Sequence, residues 1–163
     1  MIKLFRTNSE DITFKELVKA LDKELEIRDG ADHSFYDQFN KIENINYVVL
    51  AVESNKALGC GALKEFSEKT MEVKRMFVPP ENRRKGIASL ILEDLEKWSK
   101  EMGYEKCLLE TGQKQPEAIA LYTKCNYNRI PNYGPYENVQ TSVCFEKVLK
   151  NKSFNKIVYS NFL

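Results

Sequence analysis

MEVKRMFVPPENRRKGIASLILEDLEKWSKEM, residues Met71 to Met102, places a strand, a short basic turn and a long amphipathic helix in immediate succession. Met71 to Val78 has the β-branched and aromatic content of a strand, and Pro79-Pro80 stops it, because proline cannot extend a hydrogen-bonded ladder. From Gly86 onward, Ile87, Ile91, Leu95, Trp98 and Met102 recur at spacings of three and four, so one stripe of a helix faces a core. Gly103 is the expected left-handed stop. Between strand and helix lies Arg83-Arg84-Lys85-Gly86-Ile87-Ala88-Ser89. Cations and a glycine stand there where a helix N-terminus presents unpaired N–H groups and the positive end of its dipole. That combination suits an anion, and a diphosphate above all.

Working outward towards the N-terminus, Ser67 to Thr70 is a turn and Leu58 to Phe66 a strand, with Gly59 and Gly61 marking a bulge or a close backbone approach. Glu53 to Lys56 is a tight turn, and Ile45 to Val52 a nearly continuous apolar strand covered on both faces. Ala31 to Asp37 is polar and aromatic, read as loop with a short helix to about Ile42. Before it, Phe14, Leu17, Leu21 and Leu25 form the apolar face of a helix that Thr13-x-x-Glu16 can cap and Asp29-Gly30 ends. Ile2 to Phe5 is the first strand.

Towards the C-terminus, Lys106 to Thr111 is a short buried strand. It must run parallel to the strand at 71–78, since a long helix is a crossover connection. Pro116 opens another helix, lined on one face by Ala118, Leu121, Tyr122 and Cys125, and Asn126 stands at its left-handed end. Tyr127 to Ile130 and Ser142 to Val148 are the last strands, separated by a turn-forming, aromatic loop at Pro131–Tyr136. Residues 150–163 form a tail with no clear period. Strand alternation places Glu72, Lys74, Met76 and Val78 on one face and Val73, Arg75 and Phe77 on the other.

The 163 residues carry a net charge of +1 and 42% hydrophobic content without a composition break. That favours one domain over residues 1–149 and gives no electrostatic case for nucleic acid or a membrane surface. The start lacks a signal-peptide run, and no window is long and apolar enough for a transmembrane helix, so the expected location is the cytoplasm. Cys60, Cys107, Cys125 and Cys144 are too far apart for a zinc motif, and with a single histidine no metal is expected.

The segment Arg83-x-x-Gly86-x-Ala88 resembles the pyrophosphate loop [Q/R]-x-x-G-x-[G/A] of the GNAT superfamily of acyl-CoA-dependent N-acyltransferases. A second segment, Gln115-Pro116-Glu117-Ala118-Ile119-Ala120-Leu121-Tyr122-Thr123-Lys124-Cys125-Asn126-Tyr127, is similar to the family's N-x-x-A-x-x-L-Y-x-K-x-G-[FY]. Gln115 replaces the usual asparagine, and Asn126 the usual glycine. The order of strands and helices from Ile2 to about Leu149 is the family's too. The resemblance implies an α+β fold, three layers about a splayed, mostly antiparallel mixed sheet. It also implies an N-acetyltransferase using acetyl-CoA on a small-molecule amine by direct attack in a ternary complex. A protein lysine or N-terminal acetyltransferase and an inactive CoA-binding module are the competing readings, and an edge strand could support a homodimer.

The resemblance also assigns roles. The main chain of Met76, Phe77 and Val78 would pair with the pantetheine arm, Gln115 would reach it with its amide, and Arg83 to Ser89 would hold the diphosphate. Tyr122 would protonate the departing sulfur and line the cofactor. Glu72, eleven positions before Arg83, is the candidate general base, or else a partner for a nearby cation. Arg75, a charge in mid-sheet, needs a protein carboxylate or a substrate carboxylate. His33, Tyr133 and Tyr136 are candidate acceptor contacts, whereas Asp29, Asp32 and Asp37 could attract a cationic amine but read first as solvated loop residues.

Overall fold

The computed structural model describes residues 1–150, so nearly all of the tail at 150–163 lies outside the described residues. Seven strands form one sheet in the order β1-β2-β3-β4-β5-β7-β6. They are β1 (Lys3–Thr7), β2 (Tyr47–Glu53), β3 (Lys56–Ser67), β4 (Thr70–Phe77), β5 (Lys106–Gly112), β6 (Asn128–Ile130) and β7 (Ser142–Val148). Helices α1 (Ile12–Asp29) and α2 (His33–Asp37) precede β2; α3 (Ile87–Glu101) joins β4 to β5, and α4 (Pro116–Lys124) follows β5. Every strand pair is antiparallel except β4–β5, whose parallel register follows from the α3 crossover.

The sheet is sandwiched between helices. On one face Phe14, Leu17, Leu21 and Leu25 of α1 pack on Val48, Leu50, Ala62 and Phe77. On the other, Ile87, Ile91, Leu92 and Leu95 of α3 are at most 2% exposed and pack on Val49, Leu63, Met71 and Val73. Each of these side chains except Ala62 contributes roughly 1.5–3 kcal/mol by burial. The nearly continuous apolar run of β2 is explained by this double coverage.

Two details of the helical region differ from the sequence expectation. Asp11, not Thr13, caps α1 by accepting the Phe14 N–H, so the helix starts a residue before the proposed capping box. Asp29 is not solvated: as the last residue of α1 it is 5% exposed. The short helix expected before Ile42 is α2, whose Phe35 stacks edge to face on Tyr36 and on Phe39 just beyond the helix. Gly103 and Asn126 do have the expected positive φ, 89° and 68°.

Strand alternation fails inside β4. Lys74 opposes Ala62 and Phe77 opposes Cys60, so Arg75 and Met76 together face the single residue Gly61. Arg75 takes φ 56°, a left-handed conformation uncommon outside glycine. The bulge reverses the phase of the strand. Lys74 faces the α1 side with Ala62, and Arg75 faces it too, reaching Asp22 of α1, whereas Met76 points at α3. The pattern explains Gly61: a Cβ there would stand 2.4 Å from the Met76 sulfur and 2.9 Å from Ile91 and Leu95. Glu72 and Lys74 therefore share a face with Arg75 and Phe77, not with Met76 and Val78.

Candidate functional site

The parallel pairing of β4 and β5 covers only Thr70↔Lys106, Met71↔Cys107 and Glu72↔Leu108. Beyond Glu72 the strands part, and main-chain groups of β4 that face β5 have no strand partner there. The gap opens into two connected hollows, one towards the α3 N-terminus and one towards α1, α2 and the 131–136 loop. Met76, Gln115, Ala118 and Tyr122 belong to both walls.

The larger hollow, about 700 Å³, is bordered by Phe77, Val78, Arg83, Arg84, Gly86 and Ser89. Its floor is the turn ahead of α3, where Arg84 and Gly86 both take positive φ, 64° and 77°. No atom lies within 4 Å of a Cβ built on Gly86, so the turn is open to an incoming group. A fifteen-residue helix starting here and left-handed turn residues ahead of it make a concave set of N–H donors. Arg83 and Arg84 border the hollow, whereas Lys85 is exposed and does not. Arg83 is already occupied: its Nε donates to the Val78 carbonyl at 2.8 Å and its Nη2 to both Glu24 carboxylate oxygens at 2.8 Å. Glu24 is also 3.7 Å from Arg28, which donates to Glu117 of α4 at 2.8 Å. The chain Arg83–Glu24–Arg28–Glu117 thus ties α1 to both sides of the gap.

The smaller hollow, about 110 Å³, brings Glu72, Arg75 and Tyr136 together with Tyr36, Glu110 and Asp29. Glu72 is held by the Tyr133 hydroxyl, which donates to its Oε2 at 2.6 Å, and by Lys74 at 3.5 Å. Arg75 is paired with Asp22 and its side chain is 2% exposed, so it meets a protein carboxylate. Tyr133 contributes through Glu72 and through edge-to-face contacts with Phe66 and Tyr136. Phe39 stacks on Tyr136, which closes the α2 side against the 131–136 loop. His33 does not line this hollow; it opens α2 and faces Asp37 at 4.0 Å.

Tyr122, 6% exposed, stacks edge to face on Tyr127. Burial, with the nearby Glu110 charge second, pushes its phenol well above the ordinary value, so it stays protonated and able to donate. Glu110 was not singled out from the sequence. Its Oε1 is buried without a hydrogen-bond partner among the described residues. Burial raises its carboxyl to about 7; Ser142 and Lys74 oppose the rise, and Glu72 and Asp29 add to it. A carboxylate titrating near neutrality beside a protonated tyrosine has the properties of a general base and a general acid.

A family model, the Acetyltransferase (GNAT) family, matches residues 14–127. The IAA acetyltransferase of Azospirillum brasilense is 38% identical over 102 residues, covering 62% of this chain and 67% of that protein. The crystal structure of an acyl-CoA N-acyltransferase from Klebsiella pneumoniae superposes with a TM-score of 0.78 at 26% identity, over 92% of this chain and 99% of that one. A GNAT family acetyltransferase from Elizabethkingia anophelis with acetyl-CoA bound shares the fold at a TM-score of 0.66 and 19% identity, over 91% of this chain and 98% of that one.

Proposed function

The chain belongs to the GNAT family of acetyltransferases, and from that premise we propose that it transfers the acetyl group of acetyl-CoA to a primary amine of a small molecule in a ternary complex. The observation that carries this reading is the parting of β4 and β5 beyond Glu72. It opens a diphosphate-suited turn at one end and a buried carboxylate at the other, with Tyr122 on the shared wall. The E. anophelis relative holds acetyl-CoA in the same fold. The residues fit that molecule: the open turn at Gly86, the cations Arg83 and Arg84, and the β4 edge that has left β5, at Met76 and Phe77 and on into Val78, whose carbonyl Arg83 holds. Gln115, bordering both hollows, would meet the pantetheine arm where they join. Bound there, acetyl-CoA supplies the thioester carbonyl that the amine attacks.

Glu110 replaces Glu72 as the base in this proposal. Moving a proton from an ammonium of ordinary pKa to a carboxylate of ordinary pKa is uphill by about 8 kcal/mol, and by about 5 kcal/mol when the carboxyl titrates near 7. Glu72 instead orients Tyr133 and Lys74. Tyr122 hands its proton to the sulfur as the C–S bond breaks and the C–N bond forms. Of the two protons the ammonium loses, one passes through Glu110 to water and the other restores Tyr122. The sum is ammonium plus thioester giving amide, thiol and one proton. The packing of Phe39 on Tyr136 closes the acceptor end and favours a small molecule over a protein chain.

Acetyl-CoA binding by calorimetry, followed by thiol release over a panel of amines and peptides, tests the proposal. Binding and amine-dependent release are expected; no binding would overturn the cofactor assignment, and release with peptides alone would overturn the small-molecule one. Tyr122→Phe is expected to lower kcat by about 10–100-fold with little change in acetyl-CoA affinity. Unaltered turnover would remove the acid role from Tyr122.

A further inference from the structure

The charges around the smaller hollow do not balance within the protein. Glu72 is matched by Lys74, and Arg75 by Asp22. Asp29 and Glu110 are left over. Asp29 is 5% exposed, and its carboxylate has neither a hydrogen bond nor an ion pair among the described residues. The nearby basic groups are engaged elsewhere: His33 faces Asp37 at 4.0 Å, and Lys114 donates to the Asp29 carbonyl at 3.3 Å and lies 3.7 Å from Asp32. Glu110 Oε1 is buried without a hydrogen-bond partner among the described residues, although Ser142 meets the carboxyl group. Buried carboxylates hold their charge best when a cation or donors meet them directly; burial lifts Asp29 above the usual range, although the nearby charges of His33 and Lys114 oppose the rise. Leu21, Leu25 and Met76 supply apolar wall in the same hollow.

Two unmatched carboxylates bordering one partly apolar hollow describe a complement for two positive nitrogens joined by a hydrocarbon spacer. We infer that the acceptor is a short alkyl diamine, with one nitrogen at Glu110 to be acetylated and the other seated as an ammonium against Asp29. The inference rests on the acetyltransferase reading above and narrows its substrate. The nitrogen at Glu110 gives up a proton and becomes the nucleophile. The nitrogen at Asp29 keeps its charge, fixes the spacer along Leu21, Leu25 and Met76, and takes no part in bond making. An acceptor bearing a carboxylate instead would bring a third negative charge towards Asp29 and Glu110. Arg75, already paired, offers it a single unpartnered Nε–H.

The test compares 1,4-diaminobutane, butylamine and 4-aminobutanoate in the thiol-release assay, with acetyl-CoA binding measured separately on the same protein. A kcat/KM for the diamine at least about tenfold above that of butylamine is expected, with 4-aminobutanoate poorest. Asp29→Asn should bring the diamine-to-butylamine ratio down about tenfold or more, and Asp29→Glu should restore part of it. Equal turnover of diamine and butylamine, a preference for 4-aminobutanoate, or a ratio unmoved in Asp29→Asn would each overturn the inference. Intact acetyl-CoA binding with no diamine turnover overturns the diamine alone, whereas failure to bind acetyl-CoA overturns the cofactor assignment beneath it.

Discussion

Glu110 is a costly residue for this protein to carry. In the folded state its carboxyl titrates at about 7, above the unfolded value, so the native state binds the extra proton. The stability it allows is present below the unfolded pKa, falls between about pH 4.5 and 7, and is absent above that window. Glu110→Gln is therefore expected to stabilise the protein at pH 8, by up to about 3 kcal/mol, and to leave it nearly unchanged at pH 4; denaturant melts at the two pH values measure this. The same substitution should cut kcat/KM by about 100-fold or more and abolish a rising limb near pH 7 in the pH profile. Gain in stability with loss of activity is the expected signature of a group retained for chemistry. KCLLET at 106–111 gave no hint of it, because the environment of Glu110 is made by Asp29 of α1, Glu72 and Lys74 of β4 and Ser142 of β7. The place of Tyr122 on the cleft wall was legible, since its neighbours in the motif are its neighbours on one helix. Arg75 was legible only as a problem: a mid-sheet charge announces that it has a partner without saying which.

At the scale of elements, β4 carries the main lesson. Its composition marks a strand, but a period of two places Met76 with Glu72 only if no residue is inserted, and the bulge at Arg75–Met76 inserts one. The signal lay in the neighbouring strand, where Gly61 leaves room for Met76 and α3 to approach. Helix α1, the counterpart of α3 on the other face of the sheet, braces the bulge through Asp22. Removing that carboxylate leaves a guanidinium whose side chain is 2% exposed, while Asp22 itself is 40% exposed, so water replaces it in part. Asp22→Ala is expected to cost about 2–3 kcal/mol in urea unfolding, less than the roughly 3–5 kcal/mol of a fully buried broken pair. A change under about 0.5 kcal/mol would show that the bulge holds without the ion pair. By contrast α3, with its 3.6-residue apolar stripe, its Gly86 start and its Gly103 end, was readable almost to the residue.

For the molecule as a whole, element order and sheet direction followed from periodicity and crossover length, whereas the meeting of distant side chains did not. Glu24 and Arg28 look like ordinary polar positions on α1, and only the folded chain brings them to Arg83 and Glu117. Glu24→Gln is expected to tighten acetyl-CoA binding several-fold, measured by calorimetry at two salt concentrations, with a steeper loss of affinity as salt rises; weaker binding would show that Glu24 supports the loop instead. The chain Arg83–Glu24–Arg28–Glu117 makes the mouth of the cleft behave as a loaded ion exchanger. On the proposed reading, an arriving diphosphate would have to trade places with the resident Glu24 carboxylate to reach Arg83. The attraction at long range would then be muted at Arg83, and a lone phosphate would offer less in exchange than a diphosphate. Discrimination would then begin before any base or acyl group is touched, in the requirement that a visitor bring more negative charge than the one it displaces.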